Sequence, residues 1–321
     1  MLQIKDYKMI KLYDKKESHK DSIPLDSLKE GEKISILSDS MMKTMFQNEE
    51  RIKYSVKLLS YYLDISYEEL LKNIYLVKNE LDKKNEPLKS RRADYVANIN
   101  GSIINIEVNN NSSSKTLERN MEYAHRLYAS KVRRKKTSEE GKDDYQQIIQ
   151  LNINNFSFVG NDEVVEIYFI QNDNLVKLSD KLIFIQIYIP NLLRKWYTVG
   201  TQKLKEEERY LLGLVLRDKK QSLEVGKGIK IMEEYVEDAS QASLDDDLLE
   251  AYDKEWALQD LGIQQGIEEE KEIGLIKGKE IGLEEGRKQS LEETAKKMKD
   301  RGFDLETIKD ITGIDLSKKD A

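Results

Sequence analysis

The sequence predicts a mixed α/β domain followed by a helical tail, and three observations lead to this prediction. Asn100-Gly101 separates two runs of strand-forming residues, which is the pattern of a tight β-hairpin. Helical periodicity flanks this hairpin on both sides, beginning near residues 38 and 112. Residues 145–156 then alternate apolar and polar side chains, as a strand does. The predicted order is therefore helix, three strands, helix and strand, with further strands and helices behind it.

The first predicted helix begins at residue 38, where Ser38 or Asp39 provides the N-cap. Apolar residues then recur on one stripe, which consists of Met42, Met45, Phe46, Ile52, Val56, Leu59 and Leu63. Residues 73–81, NIYLVKNEL, have the composition of a strand. Residues 1–37 are polar and weakly patterned, and we expect them to form an N-terminal extension.

The hairpin RRADYVANINGSIINIEVNNN covers residues 91–111. If Asn100 and Gly101 form a two-residue turn, Ile99 faces Ser102 and Asp94 faces Glu107. Alternation then places an apolar set on the core face, namely Tyr95, Ala97, Ile99, Ile104, Ile106 and Val108. The opposite face carries Asp94, Asn98, Asn105, Glu107 and Asn109, with Val96 and Ile103 as exceptions. The turn and the hydrophobic pattern thus predict the same register.

This register brings two carboxylates together, and like charges directly opposite each other destabilise a strand pair. Solvent, a raised pKa on one acid or a bound cation can relieve the repulsion. The chain has no Cys and only His19 and His125, which excludes thiolate sites and makes a histidine-rich site unfavourable. Oxygen ligands alone favour Mg²⁺, Mn²⁺ or Ca²⁺. A hard metal site and a solvated surface pair both remain open from the register.

The second predicted helix covers residues 112–132 and places Leu117, Met121, Ala124 and Tyr128 on one side. In the strand that follows, Gln150 and Asn152 occupy the polar face, either in the same cleft as the hairpin or exposed to solvent. Two more strands are predicted at residues 164–171 and 181–190, and the patterns are helical from residue 191 to about residue 257.

The tail contains a glycine repeat at multiples of four residues: Gly262, Gly266, Gly274, Gly278, Gly282 and Gly286. A stripe of period four winds right-handed around a helix, as in a coiled coil, yet each glycine costs a helix about 1 kcal/mol. The repeat is therefore either a flexible charged spacer or a helix that mediates self-association. Residues 290–321 indicate two short helices around Arg301-Gly302-Phe303, which suits a helix-turn-helix or any small helical hairpin.

Composition indicates a soluble protein, since 39% of its residues are hydrophobic and 35% are charged. No apolar run is long enough for a membrane helix and no secretory signal is apparent, so we expect a cytoplasmic location and no membrane partner. Residues 1–140 contain 27 Lys and Arg against 22 Asp and Glu, which suits a surface for nucleic acid. The basic side chains cluster around the hairpin and after the second helix: Arg91, Arg92, Lys131, Arg133, Arg134, Lys135 and Lys136. Contact with phosphate and a solvated helix end are equally open for them.

These motifs resemble the PD-(D/E)XK nuclease superfamily, and within it the recombination-promoting nuclease and putative transposase family. DSMMKTMF (39–46) is similar to the family's entry helix, with Met42 where Phe is usual. RADYVA and INIEVN are similar to its Asp and Glu strands, and Arg119 and Tyr123 match its Arg-x-x-x-Tyr helix. The glycine repeat and the closing helical segment complete a resemblance that covers about residues 38–318.

The resemblance implies a restriction-endonuclease-like αβββαβ core and a metal-dependent endonuclease that hydrolyses DNA in recombination or transposition. It implies Mg²⁺, with Mn²⁺ as an alternative, bound by Asp94, Glu107 and the carbonyl of Val108, while Asn109 positions the water. Asn109 departs from the pattern because Lys or Gln is usual there, and Asn carries no charge. The alternative is a degenerate nuclease fold that binds DNA or acts as an oligomeric interaction protein.

Further expectations complete this reading. Arg92, Arg119, Arg133, Arg134 and Lys135 are expected to contact DNA. Asp39 either adds an acid to the site or caps its helix, and His125 is expected on the helix surface. The expected segments are an extension (1–37), a nuclease-like domain (38–257), the glycine-repeat helix (258–289), through which the chain is expected to form homo-oligomers, and a helical hairpin (290–321).

Overall fold

The structure is a computed structural model that describes residues 17–18, 20–77, 95–110, 116–132, 147–171, 176–258, 286 and 288–314. The chain divides into two compact units, residues 1–257 and 258–321. Of the predicted site residues, Arg92, Asp94, Arg133, Arg134 and Lys135 lie outside the described residues, as does the glycine repeat up to residue 285.

The first unit is built on a six-stranded mixed sheet with the strand order β2-β3-β4-β5-β8-β7. β4, β5 and β8 run parallel to one another, and the other neighbouring pairs are antiparallel. The strands are β2 (Ile74–Leu76), β3 (Tyr95–Ile99), β4 (Ser102–Asn109), β5 (Ile148–Asn154), β7 (Val165–Gln171) and β8 (Lys177–Tyr188). A separate two-stranded sheet pairs β1 (Glu17–Ser18) with β6 (Ser157–Phe158).

Helices cover both faces of the sheet. They are α1 (Asp39–Phe46), α2 (Ile52–Ser60), α3 (Tyr67–Asn73), α4 (Thr116–Val132), α5 (Ile189–Val199), α6 (Glu206–Val215), α7 (Lys219–Val225) and α8 (Lys230–Ala242), with a 3₁₀ turn at Thr201–Lys203. Residues 246–258 are also helical. The mixed α/β class predicted from the sequence is confirmed.

The predicted first helix is interrupted. α1 ends at Phe46 and α2 begins at Ile52, because the segment between them turns on Asn48. The Asn48 side chain accepts a hydrogen bond from the backbone N–H of Glu50 over 2.9 Å. An Asn that bonds to its own local backbone in this way competes with helix formation, which the apolar stripe alone did not reveal.

Residues 20–37, which the sequence assigned to an N-terminal extension, belong in part to the first unit. Ile23, Ile34, Ile36 and Leu37 are buried in its main core. The Arg217 guanidinium contacts the segment through Glu32 at 2.8 Å and the backbone carbonyl of Ser27 at 2.8 Å. Weak periodicity hid this packing, because the segment is irregular and is bound by contacts with residues far along the chain.

The predicted hairpin register is confirmed within residues 95–106. Ile99 pairs with Ser102, Ala97 with Ile104, and Tyr95 with Ile106. Asn100 and Gly101 have positive φ angles of 49° and 87°, as a type I′ turn requires. The apolar face of the hairpin lies in the main core, where Ile104 and Ile106 cluster with side chains of α1, α2, α6 and α8.

The opposite face of the sheet is covered by α4, which links the parallel strands β4 and β5. Ala124 and Leu127 of α4 cluster there with Val96, Ile103, Ile148 and Leu182. The predicted stripe on this helix was wrong in part: Met121 is 47% exposed, whereas Asn120 and Tyr123 are buried. The helix buries polar side chains on its sheet-facing side. A search for an apolar stripe therefore selects a face of the helix that is rotated away from the side that contacts the sheet.

In the second unit, residues 288–300 are helical and α9 covers Leu305–Thr312. Ala295 and Ile308 form its small buried cluster. Gly302 has a positive φ of 84° at the predicted turn, and Gly313 ends α9 in the left-handed conformation.

Candidate active site

The face of the sheet beneath α4 changes from apolar to polar along its parallel strands. Its apolar row includes Ile103 and Ile148, which pair with each other. Moving toward the carboxyl ends of the strands, Asn105 pairs with Gln150, Glu107 with Asn152, and Asn109 with Asn154. Gln186 of β8 pairs with Asn152 and extends this polar area. In open α/β sheets, the carboxyl ends of parallel strands are where ligands bind.

Glu107 is the buried acid of this area, with only 3% of its surface exposed. The Nδ2 atom of Asn105 donates to Glu107 Oε1 over 3.0 Å and to Gln150 Oε1 over 2.8 Å. Gln150 Nε2 in turn donates to Asn152 Oδ1 over 2.8 Å. A buried carboxylate needs such donors, because an unpaired charge in the interior is strongly unfavourable.

A second chain of hydrogen bonds begins on α4. Arg119 Nη2 donates to Asn109 Oδ1 over 2.8 Å, and Asn109 Nδ2 donates to Asn154 Oδ1 over 2.9 Å. Asn154 Nδ2 completes the chain with a 2.9 Å bond to Gln186 Oε1. The Arg119 guanidinium is thus connected through three side-chain amides to β8, the last of the parallel strands.

Several buried polar atoms of this area have no hydrogen-bond partner among the described residues. They are Asn105 Oδ1, Arg119 Nε, both side-chain polar atoms of Asn120, and Asn152 Nδ2. Each such atom costs about 1–3 kcal/mol of folding free energy. Native proteins have few of these atoms, and an ordered water, an ion or a ligand can explain them, so their concentration on one face makes it the candidate site.

The sequence-predicted residues that the structure describes fall into two groups. Glu107 and Asn109 share the face beneath α4, and Arg119 joins them there. Val108, with its side chain on the opposite face, packs against the main core. Gln150 and Asn152, for which a cleft and a solvent-exposed position were both open, are completely buried beside Glu107.

His125 and Tyr123 of α4 differ in their exposure, and His125 lies on the helix surface as predicted. His125 is exposed on the helix surface, 2.7 Å from the Met121 carbonyl oxygen. Tyr123 is buried on the sheet-facing side.

Sequence reasoning missed Asn120, Asn154 and Gln186 as members of this area. A signal for Asn154 exists, since Gln and Asn recur at alternate positions in IIQLNIN, whereas Gln186 is the single amide of the apolar run IFIQIY. For Asn120 the signal is its spacing of four residues from Ala124, which puts both on one side of the helix.

Asp39 lies at the entry to α1, close to the end of β4. Of the two residues predicted as N-cap, Ser38 takes this role, since its Oγ accepts from the Met41 N–H over 3.3 Å, and Asp39 does not. Asp39 pairs through Oδ2 with Lys43, and its Oδ1 atom is buried without a partner among the described residues. Asn110 Nδ2, one residue beyond β4, donates to the carbonyl oxygen of Leu37 in the same loop.

The ligand types on this face suit a hard divalent cation. Glu107 supplies a carboxylate, and Asn105 Oδ1 is a buried oxygen that no donor of the described residues reaches. Carboxylate and amide oxygens are ligands of Mg²⁺ and Mn²⁺. Within the part of the chain that the structure describes, no group of three or more His, Asp and Glu is arranged so that it could hold a metal ion.

The mixed sheet, with α4 across its parallel strands and a buried Glu at their carboxyl ends, is consistent with a nuclease domain of the PD-(D/E)XK fold. A family model described as "PD-(D/E)XK nuclease family transposase" matches residues 36–261, and the chain belongs to that family. No curated protein and no solved structure gives a significant match. Within the described residues, no helix has the length and apolarity needed to cross a membrane.

Proposed function

We propose that this protein is a metal-dependent endonuclease that hydrolyses phosphodiester bonds of DNA during recombination or transposition. The observation that carries the proposal is the buried Glu107, held by Asn105 at the carboxyl ends of the parallel strands in a chain of this family. A carboxylate at the carboxyl ends of parallel strands supplies the oxygen ligands that a hard divalent cation prefers.

In this proposal Asp94, Glu107 and the carbonyl of Val108 hold Mg²⁺ or Mn²⁺. When bound there, the metal would supply an activated water and would neutralise negative charge on the phosphoryl group. The hairpin pairing, in which Tyr95 faces Ile106, supports this set, because the same register continued by one residue would pair Asp94 with Glu107, as the sequence predicts. Asn105 orients the Glu107 carboxylate, and Asn109 occupies the last position of the motif.

DNA is the proposed partner, contacted through its phosphates by Arg92, Arg119, Arg133, Arg134 and Lys135. Lys and Arg supply the sequence-independent part of DNA affinity, which weakens as salt rises. The position of Arg119 at the polar end of α4, beside Asn109, supports this assignment for one member of the set.

A second candidate function is a degenerate nuclease fold that binds DNA without cleaving it. The hydrogen bonds of Asn109 favour it, because its oxygen accepts from Arg119 and its nitrogen donates to Asn154. A residue engaged on both sides is less available for a water molecule or a phosphate oxygen. Asn also lacks the charge of the usual Lys.

Nicking of a supercoiled plasmid in Mg²⁺ or Mn²⁺ separates the two functions. We expect cleavage by the wild-type protein and loss of cleavage in Asp94→Asn and Glu107→Gln. Glu224→Gln, which removes an exposed acid on α7, is the matched control and should cleave like the wild type. A wild-type protein that shifts DNA in a gel and nicks no more than Glu107→Gln supports the degenerate alternative.

A further inference from the structure

The direction of both hydrogen-bond chains is determined by their charged ends. Glu107, when ionised, can only accept, so Asn105 must present its Nδ2 atom to it. That same Nδ2 atom donates to Gln150 Oε1, which leaves Gln150 Nε2 to donate to Asn152 Oδ1. The Nδ2 atom of Asn152 is therefore an outward donor, and it is buried without a partner among the described residues.

Arg119 determines the direction of the hydrogen bonds in the second chain. It does so from the donor end, because a guanidinium can only donate. Asn109 must accept through Oδ1 and donate through Nδ2, and Asn154 follows in the same direction. The Arg119 Nη2 atom is used in this chain, but its Nε atom is buried and lacks a partner among the described residues. The edge of the guanidinium that carries Nε–H thus retains a donor with no partner among the described residues.

The neighbours of Asn120 on α4 place this residue over the polar area of the sheet. Arg119, one residue before it, reaches Asn109, whereas Ala124, one turn after it, packs with Ile103 and Ile148. The part of the sheet between those two contacts carries the polar pairs of Asn105 and Glu107 with Gln150 and Asn152. Asn120 is only 1% exposed, and neither of its polar atoms has a partner among the described residues.

We infer that Arg119, Asn120 and Asn152 form a phosphate-binding pocket beneath α4, in which Arg119 supplies the positive charge that Asn109 lacks. The inference rests on the proposed function and names the substrate group that this half of the site holds. The three unpartnered nitrogens all donate, so the ligand must present acceptor oxygens and should carry negative charge. The non-bridging oxygens of a phosphodiester meet both conditions, and donors of this kind stabilise charge that develops on them during hydrolysis.

The decisive variant is Asn120→Leu, which replaces the amide by an apolar group of similar size. A polar side chain that stabilised the fold would lower the melting temperature when removed. Removing a buried amide without partners should instead leave the melting temperature unchanged or raise it, while cleavage falls by about 100-fold. His125→Leu, an exposed position on the same helix, is the control and should retain wild-type cleavage.

Binding is measured separately from cleavage, with inorganic phosphate as the probe in the absence of metal. We expect phosphate to raise the melting temperature of the wild-type protein, and expect this shift to be lost in Asn120→Leu and in Arg119→Gln. Arg126→Gln, which removes an exposed cation from the same helix, should keep the shift. With a short DNA duplex in Ca²⁺, Arg119→Gln should lower the salt slope of binding by about one.

The outcomes distinguish this inference from the proposed function. A phosphate shift that depends on Asn120 and Arg119 supports the pocket even if the wild-type protein does not nick plasmid. A phosphate shift that survives in Asn120→Leu, or a clear loss of stability in that variant, overturns it. Cleavage that depends on Glu107 but not on Asn120 or Arg119 supports the nuclease and rejects the pocket.

Discussion

Arg119 Nη2 lies 2.8 Å from Asn109 Oδ1, so a guanidinium from α4 contacts the last residue of the β4 motif. The usual Lys of the motif and this Arg would each place a cation at position 109 of β4. A protein that has one of these two cations at this position is destabilised by adding the other, because like charges at short distance repel.

Asn109→Lys should therefore destabilise the protein while Arg119 is present, by about 3 kcal/mol, since it places a second cation at a buried position in contact with Arg119. In the double variant Asn109→Lys/Arg119→Ala we expect much of this stability to return. Cleavage by the double variant should exceed that of Arg119→Ala by at least about tenfold. Urea unfolding and plasmid nicking measure the two effects, and purely additive stability changes would contradict the proposed exchange of one cation for the other.

The stability of the first unit should depend on pH through Lys33. Its Nζ atom is completely buried and donates to the carbonyl oxygens of Leu216 and Leu214 over 2.6 and 3.3 Å. Burial lowers the pKa of Lys33 to about 7, from 10.5. Between these values the unfolded chain binds more protons than the folded one, so the free energy of unfolding rises with pH across this window.

The rise contributed by Lys33 is at most about 1.4 kcal/mol per pH unit. Lys33→Met should remove it, which urea unfolding at pH 7, 8 and 9.5 can measure as a difference from the wild-type protein. Lys220→Met, at an exposed position of α7, is the control and should follow the wild-type pH dependence. Parallel pH profiles for wild type and Lys33→Met would show that Lys33 stays charged in the folded protein.

Gly101 should be the more sensitive residue of the hairpin turn. Its φ is 87°, in a region that favours glycine, and Gly101→Ala should cost about 1–2 kcal/mol of unfolding free energy. Asn100→Gly makes the reverse change at a residue with φ of 49° and should alter stability much less. Chemical denaturation of both variants tests the turn, and equal losses would argue against a type I′ conformation.

Glu255 should stabilise the entry to α1. Its carboxylate accepts from Ser38 Oγ and from the Asp39 backbone N–H, each over 2.8 Å. Glu255→Ala should lower the free energy of unfolding by about 1–2 kcal/mol, because it removes charge-assisted bonds at a helix N-terminus. Glu250→Ala removes an exposed acid that pairs only with Lys254 among the described residues, and it should leave the midpoint unchanged.

The glycine-repeat tail is proposed to mediate self-association. A chain ended after Ala257 retains the first compact unit, including its main core. Light scattering should give a smaller oligomer for this chain than for the full-length protein. If both proteins contain the same number of chains per particle, the alternative that the repeat is a charged spacer is favoured.

The sequence by itself determined the local features of this protein. The Asn100-Gly101 pair and the alternation around it predict the hairpin register, which the structure reproduces from Tyr95 to Ile106. The absence of Cys and the scarcity of His restrict any metal site to oxygen ligands. The hairpin prediction succeeds because turn chemistry and strand periodicity act between residues that are close in the chain.

Only the tertiary structure decided how the site is assembled. Gln150 has the same alternation whether its face meets solvent or a helix, and its burial depends on α4 packing across β4 and β5. The contact of Arg119 with Asn109 and the buried position of Asn120 depend on the rotation of α4, which an apolar stripe misjudges when the helix covers a polar surface. Such contacts join separate elements, and the free energy that selects them comes from packing, which local sequence patterns do not contain.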